Sequence, residues 1–225
     1  MIIDYSHPAY QQRLAEFGDD RFNGAVYYSR EITENIIPRV RTDRNWVTVD
    51  IPGLACDHSI VFIHSNVKTE QIYDWLSYYR DLILVCGIPE TMEKVRHLGT
   101  PVYLPLSVDV EYVKQFRTEK TRETAFVGRE ERADEIEVPS GVPFITGLPR
   151  TGLLREMAKY KTVYGLDRVA IEAKILGCKV LPYPDLWPVL DNKDAADMLQ
   201  EILDEIDENK HSRNRIRHYP GRSGR

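Results

Sequence analysis

The chain has 225 residues, 42% of them hydrophobic and 29% charged, with a formal net charge of −5. This is an ordinary globular composition, with room for one large domain or two small ones, and a net negative chain gives no overall electrostatic case for nucleic acid. No apolar run approaches the roughly 18 residues that cross a bilayer. The start, MIIDYSHPAY, has no basic stretch leading into an apolar core, so no signal peptide is expected. Cys56, Cys86 and Cys178 are widely spaced and fit no pairing motif. Cys86 and Cys178 fall in strand-like runs, which points to buried free thiols and a reducing, cytoplasmic setting.

In chain order, residues 1–24 are polar and irregular, with a short helix at Tyr10–Phe17. Ala25-Val26-Tyr27-Tyr28 reads as a first strand, Glu31–Arg41 as a short helix stopped near Pro38, and Trp46–Val49 as a second strand closed by Pro52-Gly53. Ser59–His64 is a strand apolar on both faces, as strands inside a parallel sheet are. A helix follows over Thr69–Arg80 with Ile72, Trp75, Leu76 and Tyr79 as its stripe. Asp81–Cys86 is again apolar throughout, Glu90–Leu98 reads as helix, and Pro101–Leu106 reads as strand.

Asp109 is placed to cap a short helix over Val110–Phe116, and Arg117–Glu123 (RTEKTRE) is a charged run of the kind that links domains. A second alternating set begins beyond it. Thr124–Val127 is a strand ending in Gly128-Arg129, and Val142–Thr146 is another ending in Gly147. Thr151–Tyr160 is a helix and Lys161–Tyr164 a strand. Tyr164-Gly165-Leu166-Asp167 then turns into a helix, with Asp167 as N-cap and Gly177 as the left-handed residue that ends it. Cys178–Leu181 is a short strand stopped by Pro182, and Lys193–Glu208 is the last helix. Strands alternating with helices argue parallel sheets with right-handed crossovers. The expected organisation is α/β, with Rossmann-like domains at 1–116 and 117–209. A basic, disordered tail is expected at 210–225, where Lys210 to Arg225 holds no acid.

The order of these parts resembles the GT-B glycosyltransferases. Ser107-Val108-Asp109 matches the segment at which that family crosses from its first domain to its second. Phe126-Val127-Gly128-Arg129 matches the strand and phosphate-side turn that open the second domain. Gly165, then Ile171-Glu172-Ala173, Gly177 and Lys179-Val180-Leu181 follow the family's turn, Glu-Ala helix, glycine and strand. The resemblance covers roughly residues 59–208. It implies two Rossmann-like domains with a cleft between them, and metal-independent transfer of a sugar from a nucleotide-diphosphate donor to an unidentified acceptor. It also implies Glu172 as the group that holds the ribose. Many retaining members carry a second Glu with seven residues between the two, and here that position is Tyr164.

The chemistry of such a donor fits several residues. Without a metal, the leaving diphosphate needs a helix N-terminus and basic side chains. Gly165 and Asp167 belong to the turn that presents free N–H groups, and Arg168, Arg129 (after Gly128) and Arg150 supply positive charge. Strand C-termini are where open α/β sheets bind ligands. His64 ends the strongest strand, where it could act as base on an acceptor hydroxyl. No D-x-D, H-E-x-x-H or paired-Cys motif is present, so neither a metal nor a cofactor is expected.

Each of these residues also has a plain structural role open to it. Arg168 and Glu172, four apart, form a surface ion pair in that reading, Asp167 a simple cap, Arg150 a solvated loop residue and His64 a hydrogen-bonded strand end. Trp187 is core, or else a stacking platform. Two functional alternatives accompany the transferase: a non-catalytic nucleotide or nucleotide-sugar binding module, motivated by Tyr164, and a transferase acting on modified DNA bases, motivated by small size and the basic tail.

Overall fold

The computed structural model describes residues 1–17, 26–49, 53–64 and 70–217. Its framework is two all-parallel sheets. The first has five strands in the order β1-β2-β3-β4-β5: Ile2–Ile3, Asn45–Val47, Ser59–Ile63, Ile83–Cys86 and Thr100–Tyr103. The second has four, in the order β7-β6-β8-β9: Arg122–Val127 is β6, Phe144–Ile145 is β7, Tyr160–Tyr164 is β8 and Lys179–Leu181 is β9. Every strand pair is parallel. The expected α/β class with parallel sheets is therefore what the chain forms.

The strand order of the first sheet explains its packing. Strands laid down in sequence, with right-handed crossovers, put their connections on one face. Helix α1 (Pro8–Phe17), the 3-10 segment Glu70–Tyr78 and helix α3 (Pro89–Val95) all cover that face. Tyr10, Tyr73, Leu76 and Val95 meet Val47, Val61, Ile63 and Leu84 there. The opposite face, with Trp46, Ile60, Phe62, Ile83 and Val85, needs another cover. It belongs to a single apolar core with Tyr28, Ile32 and Ile36, with residues of the second sheet, and with Ala195, Leu199 and Leu203 of the last helix.

Tyr28, Ile32 and Ile36 overturn the expected strand at 25–28. Residue 25 lies outside the described residues, and 26–31 are α-helical. The helix runs on through a π-turn, Ile32–Ile36, and a 3-10 turn, Ile37–Arg39. We call this composite segment α2. Aromatic β-propensity is overridden because spacing of four puts Tyr28, Ile32 and Ile36 on one buried stripe. The expected helix at 69–80 is 3-10 over Glu70–Tyr78, and Thr69 lies outside the described residues.

Two expected caps form. Asp109 Oδ1 accepts from Tyr112 N (2.8 Å) at the start of α4, Val110–Lys114. Gly177, at φ +81, follows helix α6, Asp167–Ile175, and closes it with Gly177 N to Lys174 O and Cys178 N to Ala173 O. The last helix, α7 (Asn192–Arg217), lies against α2, and its Gln200 accepts from Arg41 N (2.6 Å). It reaches past the expected end at Glu208, so residues 210–217 are helical, not a disordered tail, and 218–225 lie outside the described residues. Between the sheets, residues 107–110 run beside 190–192: Val108 N donates to Leu190 O, and Asn192 N to Val108 O. Cys86 and Cys178 are buried free thiols, and Trp187 is buried in the core.

Candidate functional site

The second sheet contains a topological switch point. β6 was laid down first, β7 went to one side of it, and β8 and β9 to the other. Ligands of open parallel sheets sit outside the carboxyl ends of the strands at such a point. The segments leaving β6, β7 and β8 there carry Gly128-Arg129, Arg150 and the Gly165–Arg168 turn. Gly165 is required by space: a Cβ there would stand 2.8 Å from Val169 Cγ1. Gly128, at φ +148, turns the chain sharply out of β6.

From this edge the structure draws together Arg150, Arg168 and Glu172, and adds a residue that the sequence pattern did not single out, Glu31 of α2. Glu31, Arg150, Glu172 and Asn192 are 7%, 8%, 5% and 3% exposed. Glu31 Oε1 accepts from Arg150 Nη1 in a very short contact, and from Arg168 Nη2 (2.9 Å). Its Oε2 accepts from Asn192 Nδ2 (3.1 Å) and from the backbone N of Asp109 (3.2 Å). Glu172 Oε1 accepts from Arg150 Nη2 (2.9 Å) and more weakly from Arg168 Nη2 (3.4 Å). Asn192 is itself oriented, because its Oδ1 accepts from Ser107 Oγ (2.8 Å).

Arg168 and Glu172 are therefore part of a buried four-charge network, not a surface pair, and Arg150, at the start of helix α5 (Arg150–Met157), is not a solvated loop residue. Aromatic rings hold the guanidinium planes. Arg150 lies over Tyr27 (5.4 Å) and Tyr112 (5.5 Å), and Arg168 lies over Tyr28 (5.2 Å).

The electrostatics follow from burial. Burial alone would push the Glu31 carboxyl up, but Arg168 and Arg150, with the hydrogen bonds from Asn192 and Arg150, hold it down at about 2. Arg150 is pulled down by burial and, more strongly, up by Glu172 and Glu31, so it stays charged. Two cations thus face two carboxylates. Two of the cations' N–H groups nonetheless have no hydrogen-bond partner although they are buried: Arg150 Nε and Arg168 Nη1. Buried donors without partners are rare in native proteins. Among the described residues, Glu172 Oε2 accepts no hydrogen bond either.

His64 reaches the same region from the carboxyl end of β3. Its Nε2 bonds the carbonyl oxygen of Thr48 (2.6 Å); a carbonyl only accepts, so Nε2 carries the proton. Nδ1 is buried with no partner. Burial and the positive charge of Arg168 outweigh the Thr48 bond and push the imidazole down to about 4. The ring is therefore neutral at pH 7, with the Nδ1 lone pair buried and unpaired. Tyr28 packs edge-on to it (5.1 Å between centroids) and carries Arg168 over its ring, so it links His64 to the network. Burial also raises the Tyr28 hydroxyl far above its ordinary value, against the opposing pull of Arg168.

Two expected residues stand apart. Asp167 is not the N-cap of α6: that position is Leu166, with no side-chain cap bond. Asp167 adopts a left-handed backbone, φ +53, and its carboxylate is taken by Arg132 Nη1 (2.6 Å), which neutralises it beside the helix start. Arg129 is exposed ahead of the 3-10 turn Glu130–Glu135 and does not join the buried cluster.

No protein-family model matches the chain, and neither the curated proteins nor the solved structures contain a significant match to it.

Proposed function

We propose that the chain is a glycosyltransferase-like protein with two Rossmann-like domains facing each other in the GT-B manner, binding a nucleotide-diphosphate sugar between the carboxyl ends of their strands. The observation that carries this reading is the pair of buried guanidinium N–H groups without partners, Arg150 Nε and Arg168 Nη1, beside the switch point of the second sheet. Such donors call for an anion, and a diphosphate offers several oxygens at guanidinium spacing. The vacant oxygen of Glu172 suits a vicinal diol, as on a ribose. The Nδ1 lone pair of His64 suits an acceptor hydroxyl.

At about 4, His64 is a weak base in the unliganded protein. A diphosphate beside Arg168 would offset the charge that depresses the imidazole and raise its basicity when the donor is bound. The test is calorimetric titration with a panel of nucleoside diphosphates and nucleotide sugars, followed by an assay for sugar release or transfer. A saturable nucleotide-diphosphate complex, weakened roughly tenfold or more in Arg168→Ala, is the expected result. No binding of any member at millimolar concentration would refute it. Binding with no turnover would favour a second reading, a nucleotide-binding module without transfer. That reading is supported by Tyr164, which occupies the end of β8 where the resemblance calls for another carboxylate.

A further inference from the structure

We infer that Glu31 is a built-in occupant of the anion site: its carboxylate stands where a ligand phosphate goes, and a phosphate-bearing ligand enters by displacing it. The inference rests on the proposed donor site and adds its regulation. Four donors from four separate segments converge on this one carboxylate: Arg150 from α5, Arg168 from α6, Asn192 from α7 and the backbone N–H of Asp109. That is a complete oxyanion cradle, and its geometry is as good for phosphate as for carboxylate. The two guanidiniums also have donors to spare. Arg150 Nε and Arg168 Nη1 are left over, buried and without partners, because one carboxylate has only two oxygens. A phosphate or diphosphate has oxygens for them.

The charges agree. With Glu31 in place, Arg150 and Arg168 are balanced by Glu31 and Glu172. With Glu31 withdrawn, the buried group carries one net positive charge, which an anion must neutralise. Glu31 also sits at a special point of the α2 backbone. It immediately precedes the π-turn Ile32–Ile36, a wide-ladder element found mostly as short insertions and often at functional sites.

Inorganic pyrophosphate is the probe, measured by calorimetry and by thermal melting on the full chain and on Glu31→Ala and Glu31→Gln. Glu31→Ala should melt below the wild type without anion, regain stability in pyrophosphate by a larger shift than the wild type shows, and bind it at least tenfold more tightly. Glu31→Gln keeps the shape and removes the charge, so it should bind more tightly than the wild type as well. Equal or weaker binding in a folded variant, or no binding to any of the three proteins, overturns the inference. If Glu31→Ala does not fold, Glu31→Gln and hydrogen exchange on the wild type decide. Pyrophosphate should speed exchange over residues 26–39, and unchanged or slower exchange overturns the displacement. The two ideas fail separately. Tighter pyrophosphate binding in the variants with no nucleotide sugar bound by any protein would keep the cradle and remove the donor reading. Nucleotide binding that Glu31→Gln does not improve would do the reverse.

Discussion

Replacing Arg150 by Met should destabilise the protein by about 3–5 kcal/mol at neutral pH, the cost of breaking a buried ion pair from one side. Met keeps the length and the packing between Tyr27 and Tyr112 but strands two buried carboxylates on a single guanidinium, Arg168. A second route gives a similar scale. The Glu31 carboxyl lies at about 2 against an ordinary 4.5, a difference worth on the order of 3 kcal/mol. Arg150 contributes to this through both its charge and its hydrogen bond, alongside Arg168 and Asn192. For a chain of this length the change corresponds to a melting shift of roughly 6–20 °C.

The pH dependence fixes the sign. A carboxyl depressed in the folded state contributes stability above its ordinary value, and that contribution is lost as pH falls toward the depressed one. The wild type should therefore lose this stability between pH 4.5 and about 2. The variant, whose Glu31 lies closer to the ordinary range, should show a flatter profile across that window. Urea unfolding at neutral pH and thermal melting down the acid range measure both. Arg150→Lys should recover only part, since an ammonium cannot fork between two carboxylates. A folded Arg150→Met protein within about 1 kcal/mol of the wild type at neutral pH would refute the argument, because well-solvated ion pairs cost no more than that to break.

Two further outcomes are expected. Ring nitrogen spectra should show His64 as the Nε2–H tautomer at pH 7 and titrating only near 4; the stability due to its buried neutral ring is present above 6.5 and falls away between 6.5 and 4, whereas a midpoint near 6.5 would mean a solvated ring. Gly165→Ala should cost about 1–3 kcal/mol by forcing its Cβ against Val169 Cγ1, and the added change Val169→Ala should restore most of it; no rescue in chemical denaturation would place the strain elsewhere.

What the sequence reveals here is what local chemistry decides. β3 and β4 are legible because four or five consecutive apolar residues, all buried, have few other uses. The Asp109 cap and the Gly177 ending are legible because each acts within a few residues. Arg150, Arg168 and Glu172 are legible as candidates, but their meeting is not, and Glu31 is missed altogether. Its partners are 119, 137 and 161 residues away in the chain, beyond any local pattern. A signal does exist. Reading 26–39 as one helix puts Glu31 three residues after Tyr28, on the buried side, whereas the aromatic run at 27–28 invites a strand. Asp167 was misplaced for a related reason: its side chain fits a cap, but a nonlocal partner, Arg132, claims it.

The sequential strand order of the first sheet has a consequence for how the chain is made. The face bearing Trp46, Ile60 and Phe62 shares its core with Ala195, Leu199 and Leu203, which are synthesised after both sheets. A nascent chain that has completed β9 still lacks α7, so α2 rests on the first sheet without the helix that packs against it. That face is completed only when α7 arrives, through contacts as distant in sequence as Arg41 and Gln200, 159 residues apart, and such nonlocal closure is slow. Chains arrested before Asn192 should accordingly be cut by protease within 26–39, and chains that include α7 should resist. Equal resistance would mean that the first sheet closes its core unaided.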